Sequence, residues 1–225
     1  MGFDYELDFE EALIKLLKDY GWTGKMLNYP TEEQLIKNWA EILFNNNKGI
    51  DRLNGQPLTE GEMQQILDEI KDLRTPLAIN GFINGKSVSI TRDNPADTLH
   101  FGKEVSLTIY NRLEIASGRS FYQIARQPKF EHHSYILPKR RGDLVLLING
   151  MPVIHVELKS SKVPAMHAVN QITDKYIPEG VFTDSIFSLV QIFVAMNPEE
   201  MMYFANPGID IKFNKAQSYL GALAS

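Results

Sequence analysis

Two neighbouring apolar runs with charged ends constrain the fold of this 225-residue chain more than any other feature. Residues 144–148 and 153–158 are rich in branched side chains, and Asn149-Gly150 lies between them. An Asn-Gly pair between two strand-forming runs is a strong signal for a β-hairpin. In the second strand the even positions are apolar, so His155, Glu157 and Lys159 share the other face. We therefore expect two central, mostly apolar strands that end in charged groups.

The length of the hairpin loop decides whether Asp143, at the start of the first strand, faces the same way as Glu157. A two-residue loop would pair Asp143 with Val156 and turn the aspartate to the opposite face. A three-residue loop, with Gly150 in the left-handed conformation, would pair Asp143 with His155 and place Glu157 diagonally on the same face. We predict the odd-length loop, because it brings both carboxylates together.

Two carboxylates a few ångströms apart repel each other unless a hard divalent cation such as Mg²⁺ lies between them. Lys159 alongside could orient or deprotonate an attacking water and offset charge in a phosphoryl transition state. The arrangement suits phosphodiester hydrolysis. The alternative is a solvated ion pair, since Glu69-Ile70-Lys71 has the same spacing in an evident helix. Location at the end of apolar strands favours a metal site.

The remaining elements are predicted from periodicity and capping residues. Asp8 with Glu11 predicts a capping box for a helix over residues 8–20, and Thr31 and Thr59 predict two more helices. Period-two patterns predict a hairpin around Asn84-Gly85 and further strands at 105–109, 121–124 and 189–195. A helix is expected over 164–176, and the tail after Lys215 is a short helix candidate.

The chain shows no internal repeat and no linker, so we expect a single domain over 1–225, with a helical region at about 8–73 elaborating a core at about 78–207. The expected class is α/β, with a mixed central β-sheet flanked by helices. The absence of cysteine and of a long apolar segment favours a cytoplasmic protein without membrane contact.

The net charge of −5 has the wrong sign for bulk electrostatic binding of DNA. A nucleic acid would have to bind a local basic patch. Between residues 126 and 141 only Glu131 is acidic, and the patch comprises Arg126, Lys129, Lys139, Arg140 and Arg141. It leads directly to Asp143, so phosphates drawn there would lie beside the predicted metal site.

At these residues the sequence resembles the PD-(D/E)xK nuclease superfamily, and more closely the N-terminal nuclease domain of the motor (R) subunit of type I restriction enzymes. The resemblance covers residues 4–207, nearly the whole chain. It extends to Phe9-Glu10-Glu11-Ala12-Leu13, Tyr20-Gly21-Trp22, Asn38-Trp39, Arg52-Leu53-Asn54, Gly102-Lys103-Glu104, Gln127-Pro128-Lys129-Phe130 and Ile192-Phe193-Val194-Ala195. It implies a restriction-endonuclease-like fold.

In that family the Asp and Glu ligate Mg²⁺, the Lys serves catalysis, and an acid from the first helix supports the metal. By resemblance these roles fall on Asp143, Glu157 and Lys159. Glu10 is preferred as the helix acid, since Glu11 fits the predicted cap.

The sequence departs from the family pattern at two places. The motif's proline is Gly142 here, which changes backbone stiffness but removes no ligand. The family also carries a Gln with a Tyr four residues later, whereas Gln171 is followed by Lys175 at that spacing and by Tyr176 one residue further on. Five residues on an α-helix turn a side chain by about 140° from its partner. We therefore expect Gln171 to keep a role near DNA or metal and Tyr176 to be displaced.

The resemblance implies Mg²⁺-dependent cleavage of double-stranded DNA without intrinsic sequence specificity, after ATP-driven translocation by a motor that this chain lacks. ATP would serve only that motor. Methylation and specificity subunits would be partners through a full-length R subunit. The residues expected at nucleic acid are Lys139, Arg140, Arg141, Gln171 and Tyr176. Two alternatives stay open, namely a catalytically inert nuclease-fold docking module and a repair or mobile-element nuclease of the same superfamily.

Overall fold

A computed structural model describes residues 5–84, 87–109, 120–130 and 140–208, together with the backbone of 221–222. Its helices are α1 (Glu6–Asp19), α2 (Glu32–Asn47), α3 (Glu60–Lys71), α4 (Pro76–Ile83) and α5 (Met166–Gln171), with a π-helical turn at Ile172–Tyr176 and a 3₁₀ turn at Ile186–Leu189. Its strands are β1 (Leu27–Asn28), β2 (Ser87–Thr91), β3 (Glu104–Thr108), β4 (Tyr122–Arg126), β5 (Lys129–Phe130), β6 (Arg140–Arg141), β7 (Leu144–Ile148), β8 (Met151–Leu158), β9 (Ile192–Met196), β10 (Met201–Ala205) and β11 (Gly221–Ala222).

The central sheet of the described residues has the strand order β1-β4-β7-β8-β9-β10-β11. β1 runs parallel to β4 and β8 runs parallel to β9, whereas β4, β7 and β8 are antiparallel neighbours, as are β9 and β10. The sheet is therefore mixed, as the sequence predicted. β7 and β8 lie at its centre, which explains why both strands are almost wholly apolar.

Helices cover both faces of the sheet. On one face α1 packs through Phe9 and Ile14 against a layer formed by Ile124, Leu144, Leu146, Val156 and Leu158. On the other face α2 and α3 contribute Leu35, Trp39, Leu43, Met63, Ile66 and Ile70 to a larger core. Alternate residues of β8 thus enter two different cores, and His155 and Glu157 belong to the second side. None of the described helices is both long and apolar enough to cross a membrane.

Helix starts follow the capping predictions at two of three places. Thr31 and Thr59 each accept a hydrogen bond from the backbone of the residue three positions on, and Gln34 and Glu62 complete the two capping boxes. The capping box predicted at Asp8 is wrong. α1 already begins at Glu6, so Asp8 lies within the first helical turn, where its charge suits the helix dipole.

Residues 76–83 form a helix instead of the first strand of the predicted hairpin. The Thr75 side chain accepts a hydrogen bond from the Ala78 N–H, and Pro76 occupies the first helical position, where its missing N–H costs nothing. β2 consequently pairs with β3 as a separate two-stranded ribbon. The helix predicted after Lys215 lies outside the described residues, apart from the β11 backbone, which pairs with β10.

An arginine cluster, defined as Glu62, Arg92 and Asp97, joins α3 to this ribbon. All three side chains are inaccessible to solvent. The guanidinium donates to Glu62 at 2.5 Å, to Asp97 at 3.0 Å and to the Gln56 carbonyl at 3.2 Å. Both acids receive further hydrogen bonds, so the buried charges are paired within the protein.

Candidate active site

The β7–β8 hairpin turns through two residues, so the predicted three-residue loop is wrong. Asn149 and Gly150 have φ values of 51° and 85°, the left-handed pair that a tight type I′ turn requires. Asn149 also exchanges hydrogen bonds of 2.8 Å with the backbone of Phe121, which pins the turn to the start of β4. A side chain at Gly150 would lie 2.9 Å from the Trp39 Cα, so the turn position is closed to larger residues.

A β-bulge places Asp143 and Glu157 on the same face of the sheet, which the two-residue loop alone would not do. Leu147 pairs with Pro152, whereas Leu146 pairs with Ile154, so Val153 is an extra residue in β8. Beyond the bulge Leu144 pairs with Val156, and continuing this register places Asp143 opposite Glu157. Residues that are directly opposite in an antiparallel pair point to the same face. The two carboxylates therefore converge as required, but through a bulge and not through the loop.

Asp143 and Glu157, named here the acid pair, are partly and fully buried, respectively, and lie close enough to repel. Burial, followed by the charge of Glu157, raises the pKa of Asp143 to about 8. Burial likewise raises the pKa of Glu157 to about 8, against the opposing effect of Lys159. The Asp143 Oδ2 accepts a hydrogen bond of 2.7 Å from the Leu158 N–H, but Glu157 Oε2 is buried and has no hydrogen-bond partner among the described residues. When both acids are ionised, the pair carries more negative charge than its surroundings neutralise.

Lys159 lies beside the acid pair, as its position in the strand predicted. Its Nζ is 3.7 Å from Glu157 Oε1 and 3.8 Å from Glu6 Oε2, and it donates to the Leu158 carbonyl at 2.6 Å. The amine thus stands between the strand acid and an acid of α1. Glu6 was not singled out from the sequence, because the predicted helix began two residues too late to include it.

Glu10, predicted as the supporting metal ligand, is committed elsewhere. Its carboxylate accepts a hydrogen bond from Arg126 at 2.5 Å and two from the Gln127 amide at 3.1 and 3.3 Å. In the part of the chain that the structure describes, no three acidic or histidine side chains come together to hold one ion. Glu10 is therefore held by an arginine and an amide, and the acid pair is described without it.

The π-helical turn corrects the expectation that Tyr176 would swing away from Gln171. A π-helix has a wider turn than an α-helix, so residues five apart approach each other. The Gln171 amide donates to the Tyr176 hydroxyl at 2.6 Å and also to Glu157 Oε1. Tyr176 in turn donates to the Arg141 carbonyl at 3.0 Å. The extra residue is absorbed by the turn, and Gln171 and Tyr176 contact the acid pair together.

His155 is a further residue of this site that sequence reasoning did not assign a role. It is fully buried between aromatic rings, and burial lowers its pKa to about 4. Its Nε2 lies 3.3 Å from Glu157 Oε2. A histidine two residues before the acid, on the same face of a central strand, was a signal for this placement.

The basic residues predicted to contact nucleic acid have different surroundings. Arg140 is engaged by Glu179 through two hydrogen bonds of 2.6 and 2.8 Å, so it is bound within the protein. Arg141 is exposed and pairs across the β5–β6 ribbon with the exposed Lys129. Lys139 lies outside the described residues.

Gln171 and Tyr176 point towards the acid pair rather than outwards. Tyr176 is only 1% exposed, and its hydroxyl is bonded within the protein. Its predicted role at DNA is therefore corrected to a role behind Glu157, because a buried ring offers no surface to a nucleic acid.

This chain matches a known protein family and several named relatives. The family described as "Type I restriction enzyme R protein N terminus" matches residues 5–209. The chain is 28% identical over 206 residues to the type I restriction enzyme SsaAORF53P endonuclease subunit of Staphylococcus saprophyticus, covering 92% of this chain and 20% of that protein. It is 27% identical over 207 residues to the EcoprrI endonuclease subunit of Escherichia coli, covering 91% of this chain and 60% of that protein.

The chain therefore spans about a fifth of the length of the staphylococcal relative. The family match covers nearly all of this chain, from the residue before α1 to just beyond β10. This chain belongs to the family of type I restriction enzyme R protein N termini.

Proposed function

We propose that this chain is a Mg²⁺-dependent endonuclease domain of the PD-(D/E)xK type that hydrolyses phosphodiester bonds of double-stranded DNA without intrinsic sequence specificity. The family match and the names of the relatives, which are endonuclease subunits, support a restriction endonuclease. The mixed sheet with helices on both faces is compatible with a nuclease-like fold.

The observation that carries the proposal is the uncompensated acid pair. Burying two carboxylates side by side is costly, and a divalent cation between them would relieve both burial and repulsion. The donor set fits such an ion, because carboxylate oxygens are hard ligands and no described residue forms a hydrogen bond with Glu157 Oε2. Mg²⁺ is commonly held by one or two protein carboxylates while it keeps several waters, so a third acid is not needed.

Asp143 and Glu157 would hold the ion, which when bound supplies a Lewis acid that polarises the scissile phosphate and offsets its charge. Lys159 can donate hydrogen bonds to the attacking water and to the phosphate, since its amine stands at the mouth of the pair between Glu157 and Glu6. Gln171 fixes the orientation of Glu157 through Oε1, and Leu158 fixes Asp143 through its N–H. These contacts orient both carboxylates before substrate arrives.

DNA would reach the site along the β5–β6 ribbon. Lys129 and Arg141 lie directly opposite each other on that ribbon, although like charges in cross-strand pairs destabilise a sheet. A phosphate bound between them would remove this repulsion. Only one residue, Gly142, separates Arg141 from Asp143, so a phosphate held there would bring the strand towards the acid pair.

The proposal for the wider complex rests on the family match alone. ATP-driven translocation would belong to a motor region of a full-length R subunit, and the methylation and specificity subunits would be reached through that larger protein. The relatives that the chain matches are longer than the matched region, which leaves room for such a region in them.

Calorimetric titration of the chain with Mn²⁺ tests the proposal directly. We expect saturable binding by the intact chain and its loss in Asp143→Asn. Glu69→Gln is the matched control, because Glu69 is the exposed acid of a Glu-x-Lys triplet on α3 and its loss should leave binding unchanged. An intact chain that binds no divalent ion would instead favour the catalytically inert docking module.

A cleavage assay then separates binding from chemistry. Circular duplex DNA incubated with the chain and Mg²⁺ should be nicked irrespective of its sequence, and Lys159→Met should lower the rate by about a hundredfold or more while Mn²⁺ still binds. Equal cleavage by the Lys159→Met chain would contradict the assigned role of the amine.

A further inference from the structure

The His155 ring occupies a cage of aromatic side chains next to the acid pair. Its centroid lies 5.3 Å from that of Phe182, 5.8 Å from those of Phe130 and Tyr176, and 6.2 Å from that of Phe193. These edge and tilted contacts on several sides leave the imidazole little freedom to rotate. The direction of its ring nitrogens is therefore set by packing.

Both nitrogens of this ring are buried, and neither has a hydrogen-bond partner within the part of the chain that the structure describes. Glu157 Oε2 is buried and unpartnered as well, and it lies 3.3 Å from His155 Nε2 without hydrogen-bond alignment. Buried polar groups are nearly always satisfied, so two adjacent exceptions need an explanation. A small rotation of the carboxylate would satisfy both, because imidazole N–H groups donate and carboxylate oxygens accept.

The chain also makes room for this ring at the residue before Asp143. A Cβ at Gly142 would lie 2.8 Å from His155 Cε1 and 2.8 Å from Phe130 Cζ. The ring consequently fills the space that any larger residue at 142 would need. His155 therefore contacts the segments that carry both members of the acid pair. The lack of a side chain at Gly142 provides the space that the His155 ring occupies.

We propose that His155 is a positioning residue, whose Nε2–H donates to Glu157 Oε2 and fixes this oxygen in the orientation that receives a divalent cation. The inference rests on the proposed function. Gln171 holds Oε1 from one side and His155 would hold Oε2 from the other. The carboxylate keeps a second lone pair on Oε2 for the ion. A ring that only filled the core would need no nitrogen here.

Two substitutions separate positioning from packing. His155→Leu fills the cage without a donor, and we expect a higher melting temperature in the absence of metal together with a 10- to 100-fold loss of Mn²⁺ affinity by calorimetry. His155→Gln restores an N–H donor, and its affinity should return to within about threefold of the intact chain. Phe182→Leu is the matched control, since it alters the same cage without a polar atom and should lower the melting temperature only.

The outcomes are distinct. Unchanged Mn²⁺ affinity in His155→Leu overturns the positioning role and leaves the proposed function intact, whereas an intact chain that binds no Mn²⁺ overturns both. Should His155→Leu fail to fold, ¹⁵N NMR of the intact chain decides. We expect the Nε2-protonated tautomer and a shift of its proton signal on addition of Mg²⁺. An Nδ1-protonated ring that does not respond to Mg²⁺ overturns the proposal.

Discussion

The arginine cluster and the acid pair each bring two acidic side chains together inside the fold, yet their surroundings differ. In the arginine cluster one guanidinium donates to Glu62 and Asp97, and the neighbouring backbone and side chains satisfy the remaining oxygens. In the acid pair the cation alongside is a lysine amine, 3.7 Å from Glu157, and one carboxylate oxygen finds no hydrogen-bond partner in the described ranges.

The pKa values reflect this difference. Burial acts to raise the pKa of Asp97, but hydrogen bonds from Arg92, His100 and Asn54 outweigh it and hold the pKa below its usual range. In the acid pair burial prevails and both pKa values rise to about 8. A buried acid cluster that is paired within the protein supports the fold, whereas an unpaired one is suited to bind a cation from solution.

Removing the arginine should have the largest effect on stability. Arg92→Met leaves Glu62 and Asp97 buried without a counter-charge, and we expect a loss of about 3–5 kcal/mol of unfolding free energy, measured by urea denaturation. Lys71→Met is the control, since it breaks an exposed pair with Asp68 and should change little. A loss below about 1 kcal/mol in Arg92→Met would show that the cluster is not a structural staple.

Neutralising one member of the acid pair should act in the opposite direction. Glu157→Gln removes the repulsion and gives the unpartnered position an amide, so we expect the metal-free chain to gain about 1–3 kcal/mol of unfolding free energy at pH 8 while Mn²⁺ binding is lost. Denaturation and calorimetry on the same variant check both. A destabilised Glu157→Gln chain would contradict the view that the pair is strained without a cation.

The pH dependence of this gain follows from the raised pKa values. Unfolded carboxyls titrate near pH 4, whereas the folded pair retains its protons up to about pH 8, so the metal-free folded chain loses stability as pH rises across this window. The advantage of Glu157→Gln should accordingly vanish at pH 4. Asp97 makes stability depend on pH in the opposite direction, because its pKa is lowered in the folded chain. Its contribution to stability is present above the pKa of the unfolded chain and is lost as the solution becomes more acidic.

The sequence predicted the class of the fold and the convergence of Asp143, Glu157 and Lys159, because period-two patterning fixes which side chains share a face. It did not predict the device that aligns them. The bulge at Val153 leaves the apolar pattern of β8 intact, so residue types alone could not reveal it. The contact between Glu10 and Arg126 escaped prediction for a different reason, since the two residues are 116 positions apart and only the folded chain brings them together.

The two arginines of β6 should have separable effects on DNA binding. Arg141→Gln removes an exposed charge, and we expect the slope of log affinity against log salt concentration to fall by about one, with stability unchanged. Arg140→Gln breaks the pair with Glu179 and should lower stability with little change in that slope. Fluorescence anisotropy with labelled duplex DNA at several salt concentrations checks this, and equal slopes for intact and Arg141→Gln chains would remove Arg141 from the interface.

Deleting Lys175 should have the smallest effect. This exposed residue lies within the π-helical turn, and its loss would leave three residues between Gln171 and Tyr176. The two side chains would then be four positions apart, a spacing that an α-helix brings onto one face. The hydrogen bonds from Gln171 to Tyr176 and Glu157 should survive, with Mn²⁺ affinity within about threefold of the intact chain. Tyr176→Phe is the contrast, because it removes the link to the Arg141 carbonyl without changing helix length. A deletion that weakens Mn²⁺ binding more than Tyr176→Phe would show that the wide turn itself, and not the contact it preserves, positions Glu157.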